Sequence, residues 1–285
     1  MKSYLDCIPC FFRQALFAAR LTDADEATQL KILKEPGTKL DQIDLSQSPP
    51  QIAMTVYSIV DELTGDSNPF GSLKKKYIER VLDLHPTMTD IVRSSPDPLR
   101  TAVRLAIAGN VIDFGVNESF DLAAEVESAM ETPFSIDDMP QFRADLEKAQ
   151  TILYLGDNAG ETVFDTILLS QLPGKKYYAV RGGPIINDAT FEDAEASGIG
   201  NHATIISTGL RAPGTILSKT SPEFREIWNH ADIIISKGQG NYESLSDETA
   251  PIYFLFKIKC PITARHIGSP VGNFVLAHSK NRSIK

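Results

Sequence analysis

Three polar, glycine-rich segments stand where short apolar runs of the sequence end. They are residues 156–161 (GDNAGE), 181–188 (RGGPIIND) and 237–243 (KGQGNYE). Segments of this kind are typical of the loops that follow β-strands. In an open parallel sheet, the loops at the carboxyl ends of the strands line the ligand crevice. We therefore expect the three segments to converge on one site.

Oxygen ligands in the first two segments suit a hard divalent cation. Asp157 and Asn158 are neighbours, and Asn187 and Asp188 close the second segment. Carboxylate and amide oxygens favour Mg²⁺ or Mn²⁺ over thiophilic metals. None of the five histidines lies in the three segments, which disfavours a histidine-rich zinc site. Asp and Asn also form Asx-turns and helix N-caps, but their repetition at two strand ends favours a metal site.

Lys237 and Arg181 are cations that could bind a phosphate. Lys237 precedes Gly238, and glycine lets backbone N–H groups approach an anion closely. Arg181 precedes a Gly-Gly-Pro turn, where it could equally pair with an acidic neighbour. The dinucleotide fingerprint G-x-G-x-x-G is absent from residues 156–161, and the chain has no phosphate-loop motif G-x-x-x-x-G-K-[ST]. A glycine-rich turn after a first strand also fits a methyltransferase that uses S-adenosylmethionine.

Two further features lie in the first half of the chain. Asn110 and Asp113 are three residues apart near the end of a predicted helix and therefore share one face. They either close that helix or lend polar groups to the site. Cys7 and Cys10 form a C-x-x-C directly before a helix. The alternatives for this pair are simple packing, a structural metal or thiol pairing with Cys260, and catalysis.

The apolar pattern changes in the middle of the chain. Helical spacing predicts helices over residues 11–20, 25–33, 50–63, 73–84, 97–111 and 121–130. From residue 149 onward, predicted strands at 151–155, 176–180, 203–207, 232–236 and 252–256 are separated by helix-like segments at 161–172, 188–197 and 221–231. This alternation predicts an α/β fold with a mostly parallel sheet.

Composition excludes several classes of protein. The 285 residues include 28 Lys and Arg against 37 Asp and Glu, a net charge of −9 that argues against non-specific nucleic-acid binding. No apolar run reaches about 18 residues, so we expect neither a membrane span nor a secretory signal. Three cysteines are too few for a disulfide framework, which favours a reducing cytoplasm.

Five motifs together resemble the damage-control phosphatases, a family once catalogued as domain of unknown function 89. In matching order they are DCIPC at 6–10, AGNVID at 108–113, GDNAGE at 156–161, RGGPIINDAT at 181–190 and SKGQGNYE at 236–243. The C-x-x-C resembles the mainly prokaryotic branch of the family. The resemblance implies a helical portion, residues 1–150, packed on a Rossmann-like core, residues 151–285, as one catalytic unit. It also implies a metal-dependent phosphatase that uses Mn²⁺, Mg²⁺, Co²⁺ or Ni²⁺ on small phosphorylated metabolites such as sugar phosphates.

The resemblance also implies roles for individual residues. The metal ligands would be Asp157, Asn158 and Asp188, and the predicted catalytic residues are Asp157, Asp188 and Lys237. The predicted substrate-binding residues are Asn110, Asp113, Glu161, Arg181, Asn187, Gly238 and Asn241. Because a eukaryotic branch of the family has been proposed to methylate protein carboxyl groups, an S-adenosylmethionine-dependent carboxyl methyltransferase is the alternative.

Overall fold

The computed structural model of the chain describes residues 1–109 and 122–281. The first half of this part contains α1 (Cys7–Leu21), α2 (Glu26–Thr38), α3 (Pro49–Thr64), α4 (Gly71–Ser94), α5 (Pro98–Ala108) and α6 (Leu122–Glu131). The second half contains β1 (Phe134–Asp137), α7 (Met139–Leu146), β2 (Thr151–Leu155), α8 (Thr162–Leu169), β3 (Lys175–Val180), α9 (Phe191–Ala196), β4 (Thr204–Ser207), α10 (Pro222–His230), β5 (Ile233–Lys237), α11 (Gln239–Leu245), β6 (Ile252–Lys257), α12 (Pro261–Ile267) and β7 (Phe274–His278).

Local sequence explains where the early helices begin and end. α2 follows Asp25, whose carboxylate accepts a hydrogen bond from the Thr28 N–H. α3 follows Ser48, which forms a reciprocal capping box with Gln51. The same helix ends at Gly65, whose φ of 70° lies in the left-handed region that glycine tolerates. Among residues 1–109 and 122–281, no helix is both long and apolar enough to cross a membrane.

The seven strands form one sheet in the order β1-β7-β6-β5-β2-β3-β4. Strands β2 to β6 pair in parallel, whereas β7 is antiparallel to β6. The predicted α/β fold with a mostly parallel sheet is therefore confirmed. The chain first moves outward from β2 to β3 and β4, then crosses to β5 and β6 on the other side of β2. The strand order thus reverses between β2 and β5, which is where open α/β sheets bind their ligands.

Side chains of the central strand β2 alternate between two hydrophobic cores. Ile152 and Tyr154 pack with buried residues of α4, α5 and α8, whereas Leu153 and Leu155 pack with buried residues of α10 and α11. The sheet is therefore covered on both faces, as expected for parallel strands joined by helices. With both faces covered by helices, the strand ends and the loops that follow them are the place where a site can form.

Five elements lie outside the predicted set, namely β1, α7, α11, α12 and β7. β1 has only four residues and pairs with β7 at the edge of the sheet, far from it along the chain. β1 and α7 precede residue 150, so one strand of the sheet belongs to the portion that we predicted to be helical. The division of the chain at residue 150 stays a prediction.

Candidate active site

The carboxyl ends of β2, β5 and β3 bring the three predicted segments together. β2 runs directly into Asp157 and Asn158. Its neighbour β5 ends at Lys237 and continues into Gly238. On the other side of β2, the chain leaves β3 at Arg181. Each segment therefore starts from a strand at or beside the point where the strand order reverses.

The Arg181 guanidinium holds two carboxylates close together. Its Nε donates to Asp188 Oδ2 at 2.6 Å, and its Nη2 lies 3.4 Å from Asp157 Oδ1. Nη1 donates to Asn241 Oδ1 at 3.1 Å and to Thr215 Oγ1 at 3.3 Å. All five side chains are buried. Because these contacts satisfy every nitrogen of the guanidinium, Arg181 is a fixed support beneath the two carboxylates.

Backbone hydrogen bonds tie the first two loops to each other. Asn158 and Asp188 form an isolated antiparallel bridge. The Ala159 N–H donates to the Asn187 carbonyl at 2.8 Å. Ile186, which precedes these residues, has a φ of 46°, a left-handed conformation that is unfavourable for a β-branched side chain. The surrounding contacts therefore hold a strained turn that presents Asp188 beside Asn158.

Lys237 is fully buried in a network of acidic and phenolic side chains. Its Nζ donates to Glu161 Oε2 and to Asp165 Oδ1, each at 2.9 Å. The Asp165 carboxylate also accepts hydrogen bonds of 2.7 Å from the hydroxyls of Tyr154 and Tyr178. Although burial favours the neutral amine, the Asp165 and Glu161 carboxylates raise the pKa of Lys237 above its ordinary value. The lysine is therefore a charged internal group of the sheet.

The two networks together hold more negative than positive charge. Their carboxylates are Asp157, Asp188, Glu161 and Asp165, and their cations are Arg181 and Lys237. The formal excess is two negative charges. Burial raises the pKa of Glu161 to about 7 despite the nearby Lys237, and it raises the pKa of Asp188 to about 7 despite Arg181. Both shifts follow from the cost of burying charge that is not fully balanced.

A cavity of about 510 Å³ opens beside Arg181. Lys74 of α4 lines it, and its buried Nζ donates to the Asp188 carbonyl at 3.2 Å and pairs with Asp193. A helix of the first half of the chain thus contacts the loop that carries Asp188. The other lining residues include Asn68, Gly182, Gly183, Pro184, Thr190, Phe191, Glu192 and Ser207.

Comparison with known proteins identifies the family. The family model of the damage-control phosphatase ARMT1-like domain matches residues 3–275. The chain belongs to this family. Damage-control phosphatase PH1575 of Pyrococcus horikoshii is 35% identical, with 98% of this chain and 99% of that protein aligned. A damage-control phosphatase of Archaeoglobus fulgidus is 32% identical, with 94% and 96% aligned.

A solved structure shows the same fold. The crystal structure of a DUF89 family protein, PH1575 of Pyrococcus horikoshii, superposes with a TM-score of 0.89 at 34% sequence identity. The alignment covers 98% of this chain and 99% of that one. Family membership confirms the prediction of a damage-control phosphatase.

The structure of this family member brings together most of the predicted site residues. Asp157, Asn158, Asp188, Arg181 and Asn241 lie in or against one network, and Lys237 and Glu161 lie in the network next to it. Gly238 packs against Asp157, and Asn187 contributes a backbone carbonyl to the bridged loops. Asn110 and Asp113 lie outside the described residues. The functional roles of all these residues stay predictions.

Sequence reasoning missed several side chains that support this site. They are Lys74, Tyr154, Asp165, Tyr178, Asp193 and Thr215. Asp165 carried a usable signal, because it interrupts the otherwise apolar stretch of α8 and is fully buried. Lys74 showed no such signal in the sequence, because it is one of three consecutive lysines on a predicted helix.

No group of three or more His, Cys, Asp or Glu side chains within residues 1–109 and 122–281 is arranged to hold a metal ion. The predicted ligand set is not a group of that kind, because it consists of two carboxylates and one amide.

Cys7 and Cys260 are half-buried and pack against the same hydrophobic cluster, while Cys10 is exposed. The role of the C-x-x-C therefore stays a prediction.

Gly238 offers a test of the position of Asp157. Its φ is 79°, and a Cβ added there would lie 1.9 Å from Asp157 Oδ2. We expect Gly238→Ala to displace the carboxylate and lower kcat/KM for a phosphate ester by about 100-fold. Gly268→Ala is the matched control, because its φ is 75° and nothing lies within 4 Å of the added Cβ. Equal activity of the two variants would contradict a role for the Asp157 position.

Proposed function

We propose that this protein hydrolyses phosphate monoesters of small metabolites with a divalent metal ion such as Mn²⁺, Mg²⁺, Co²⁺ or Ni²⁺. Asp157, Asn158 and Asp188 would hold the ion through oxygen atoms, which hard divalent cations prefer. The observation that carries the proposal is the excess of two negative charges buried at the ends of β2 and β5. A divalent cation would neutralise this excess, which is otherwise costly to bury.

When bound, such an ion polarises a phosphoryl oxygen and stabilises the charge that develops in the transition state. The protein's own residues supply the geometry. Arg181 fixes the two carboxylates, and Asn241 fixes Arg181 by accepting from Nη1. Asn241 Nδ2 in turn donates to the carbonyls of Lys237 at 2.8 Å and Gly156 at 3.1 Å. The ends of β2 and β5 are thus locked to the residue that positions the carboxylates, as a preorganised site requires.

The cavity beside Arg181 is the place we propose for the organic part of the substrate. Its walls combine amide, hydroxyl and carboxylate groups, from Asn68, Ser207 and Glu192, with the aromatic ring of Phe191. Such groups can hydrogen-bond the hydroxyls of a polar metabolite while the ring packs on its apolar face. The volume of about 510 Å³ suits a small molecule.

Phe191→Ala tests this placement. The ring is 44% exposed in the structure, so a substrate can cover it. We expect the variant to raise KM about tenfold with kcat nearly unchanged, because the lost contact acts on bound substrate and transition state alike. Leu40→Ala is the control, since Leu40 is 45% exposed and does not line the cavity. A fall in kcat with KM unchanged would contradict the placement.

The activity itself is tested on metal-free protein. Sugar phosphates, nucleotides and phosphopantetheine are each supplied with Mg²⁺, Mn²⁺, Co²⁺ or Ni²⁺, and released phosphate is measured. We expect release only after a metal is added. Release that is insensitive to chelation would refute metal dependence. Tight binding of S-adenosylmethionine by a protein that binds no phosphate ester would support the carboxyl methyltransferase instead.

A further inference from the structure

We propose that Glu161 is a positioning residue that determines which end of the Asn158 side-chain amide faces the metal site. This inference rests on the proposed function, because it takes Asn158 as a ligand. It changes the predicted role of Glu161, which we had expected to bind substrate directly.

The contact between the two side chains permits one orientation of the amide. Asn158 Nδ2 lies 2.6 Å from Glu161 Oε1. The amide nitrogen is the donor in this contact, so it faces Glu161 and the amide oxygen faces away from it. The two ends of an asparagine amide have nearly the same shape, so packing alone selects between them poorly. A metal ligand needs the oxygen end, because the –NH₂ group has no lone pair to offer a cation.

Glu161 is itself prevented from turning. Its Oε2 accepts from Lys237 Nζ at 2.9 Å, and Lys237 also donates to Asp165 at 2.9 Å. Tyr154 and Tyr178 hold Asp165 from below, with ring centroids 5.2 Å apart in a stacked pair. Every member of this chain of contacts is fully buried. These buried contacts therefore fix Glu161, and Glu161 in turn fixes the orientation of the Asn158 amide.

The backbone of Asn158 is fixed as well. It forms the bridge to Asp188, and the next N–H, that of Ala159, donates to the Asn187 carbonyl. With the backbone fixed, the remaining freedom of Asn158 lies in its side-chain torsions. Glu161 removes that freedom in the way that partners of metal ligands commonly do.

Glu161→Gln separates this role from a general structural one. Lys237 can only donate, so the substituted side chain must turn its amide oxygen to Lys237 and its amide nitrogen to Asn158. Asn158 then has to present its own oxygen to that nitrogen and its –NH₂ group to the metal site. We expect the affinity of the metal-free protein for Mn²⁺, measured by calorimetry, to fall about 10- to 100-fold.

Asp165→Asn is the matched control. It removes one of the two carboxylate charges that face Lys237, in an equally buried position, but the hydrogen bonds of Asp165 go to Lys237, Tyr154 and Tyr178. We expect it to lower the melting temperature and to weaken Mn²⁺ binding clearly less than Glu161→Gln does, because a charge is lost but the Asn158 amide keeps its orientation. If Asp165→Asn weakens Mn²⁺ binding as much as Glu161→Gln, the effect is one of charge or stability, and the positioning role is refuted.

A double variant tests whether the lost Mn²⁺ affinity can be restored. In Asn158→Asp with Glu161→Gln the carboxylate and the amide exchange places, so both ends of the residue at 158 are oxygens and its orientation no longer matters. We expect Mn²⁺ affinity to return close to its original value, and failure to return would overturn the inference. Normal Mn²⁺ binding by Glu161→Gln alone would also overturn it. If the unmodified protein does not bind Mn²⁺ at all, the proposed metal site fails first.

Discussion

Asp157→Asn and Asp188→Asn are each expected to lower kcat/KM for a phosphate ester by at least about 100-fold. Each change removes one charge from the buried excess and replaces one oxygen of a proposed metal ligand with an amide nitrogen at nearly the same volume. Arg181 keeps one carboxylate partner in either variant, together with Asn241. The fold should therefore persist while the proposed metal site is lost. Released phosphate and Mn²⁺ affinity should fall together.

Asp145→Asn is the control for removing a hydrogen-bonded carboxylate. Asp145 of α7 accepts a hydrogen bond from the Tyr253 hydroxyl, near the amino end of β6. Asp145 therefore lies where the strands begin, whereas the candidate site lies where they end. Its replacement should leave kcat/KM nearly unchanged. Near-normal turnover by Asp157→Asn or Asp188→Asn at saturating metal would refute the proposed ligands.

The location of the site was predictable from the sequence because topology constrains it strongly. Once the chain alternates between strands and helices, parallel strands must end at one edge of the sheet. Asp157, Asp188 and Arg181 were placed together on that basis, and the hydrogen bonds between them agree with it. The contacts themselves were not predictable, since Arg181 could have faced a phosphate as readily as a carboxylate.

The edge of the sheet was harder to predict than its centre. β1 has four residues, none of them fully buried, so it carries little periodicity. Its partner β7 lies far along the chain, at Phe274–His278, and such non-local pairing leaves no local signal. By contrast, β2 is almost entirely a buried apolar run and β5 begins with three buried isoleucines, a pattern that marks central strands of a parallel sheet.

The surroundings of Lys237 depart most from the sequence-based expectation. A lysine beside glycines normally lies on an exposed loop, and we expected it to bind phosphate there. The structure instead places it as the last residue of β5, fully buried. Its partners Glu161 and Asp165 come from a distant part of the sequence. Only the folded sheet brings them together, so local sequence could not reveal the pairing.

Lys237→Met is therefore expected to destabilise the protein by about 3–5 kcal/mol, the usual cost of leaving buried charges unpaired. Glu161 and Asp165 would keep their positions in the core without a cation. The free energy of unfolding, measured with urea, should fall by this amount, and Lys219→Met should leave it nearly unchanged because Lys219 is exposed. The loss should also depend on pH. Lys237 opposes the effect of burial on Glu161, so its removal should raise the pKa of this carboxyl above the value of about 7. The deficit should therefore shrink as the pH falls from above 7 towards the ordinary pKa of a glutamate, about 4.3.

Lys237→Met also distinguishes two roles for the lysine, direct contact with the phosphoryl group and action through Glu161. If the lysine contacts the transferring phosphoryl group, Lys237→Met should lower kcat at unchanged Mn²⁺ affinity, because only the transition state loses an interaction. If it acts through Glu161, stability and Mn²⁺ affinity should fall together. In that case Lys237→Met combined with Glu161→Gln and Asp165→Asn, which removes both unpaired charges, should regain much of the lost stability. Its Mn²⁺ affinity should still be low, because without Lys237 the substituted amide at position 161 can present either of its ends to Asn158.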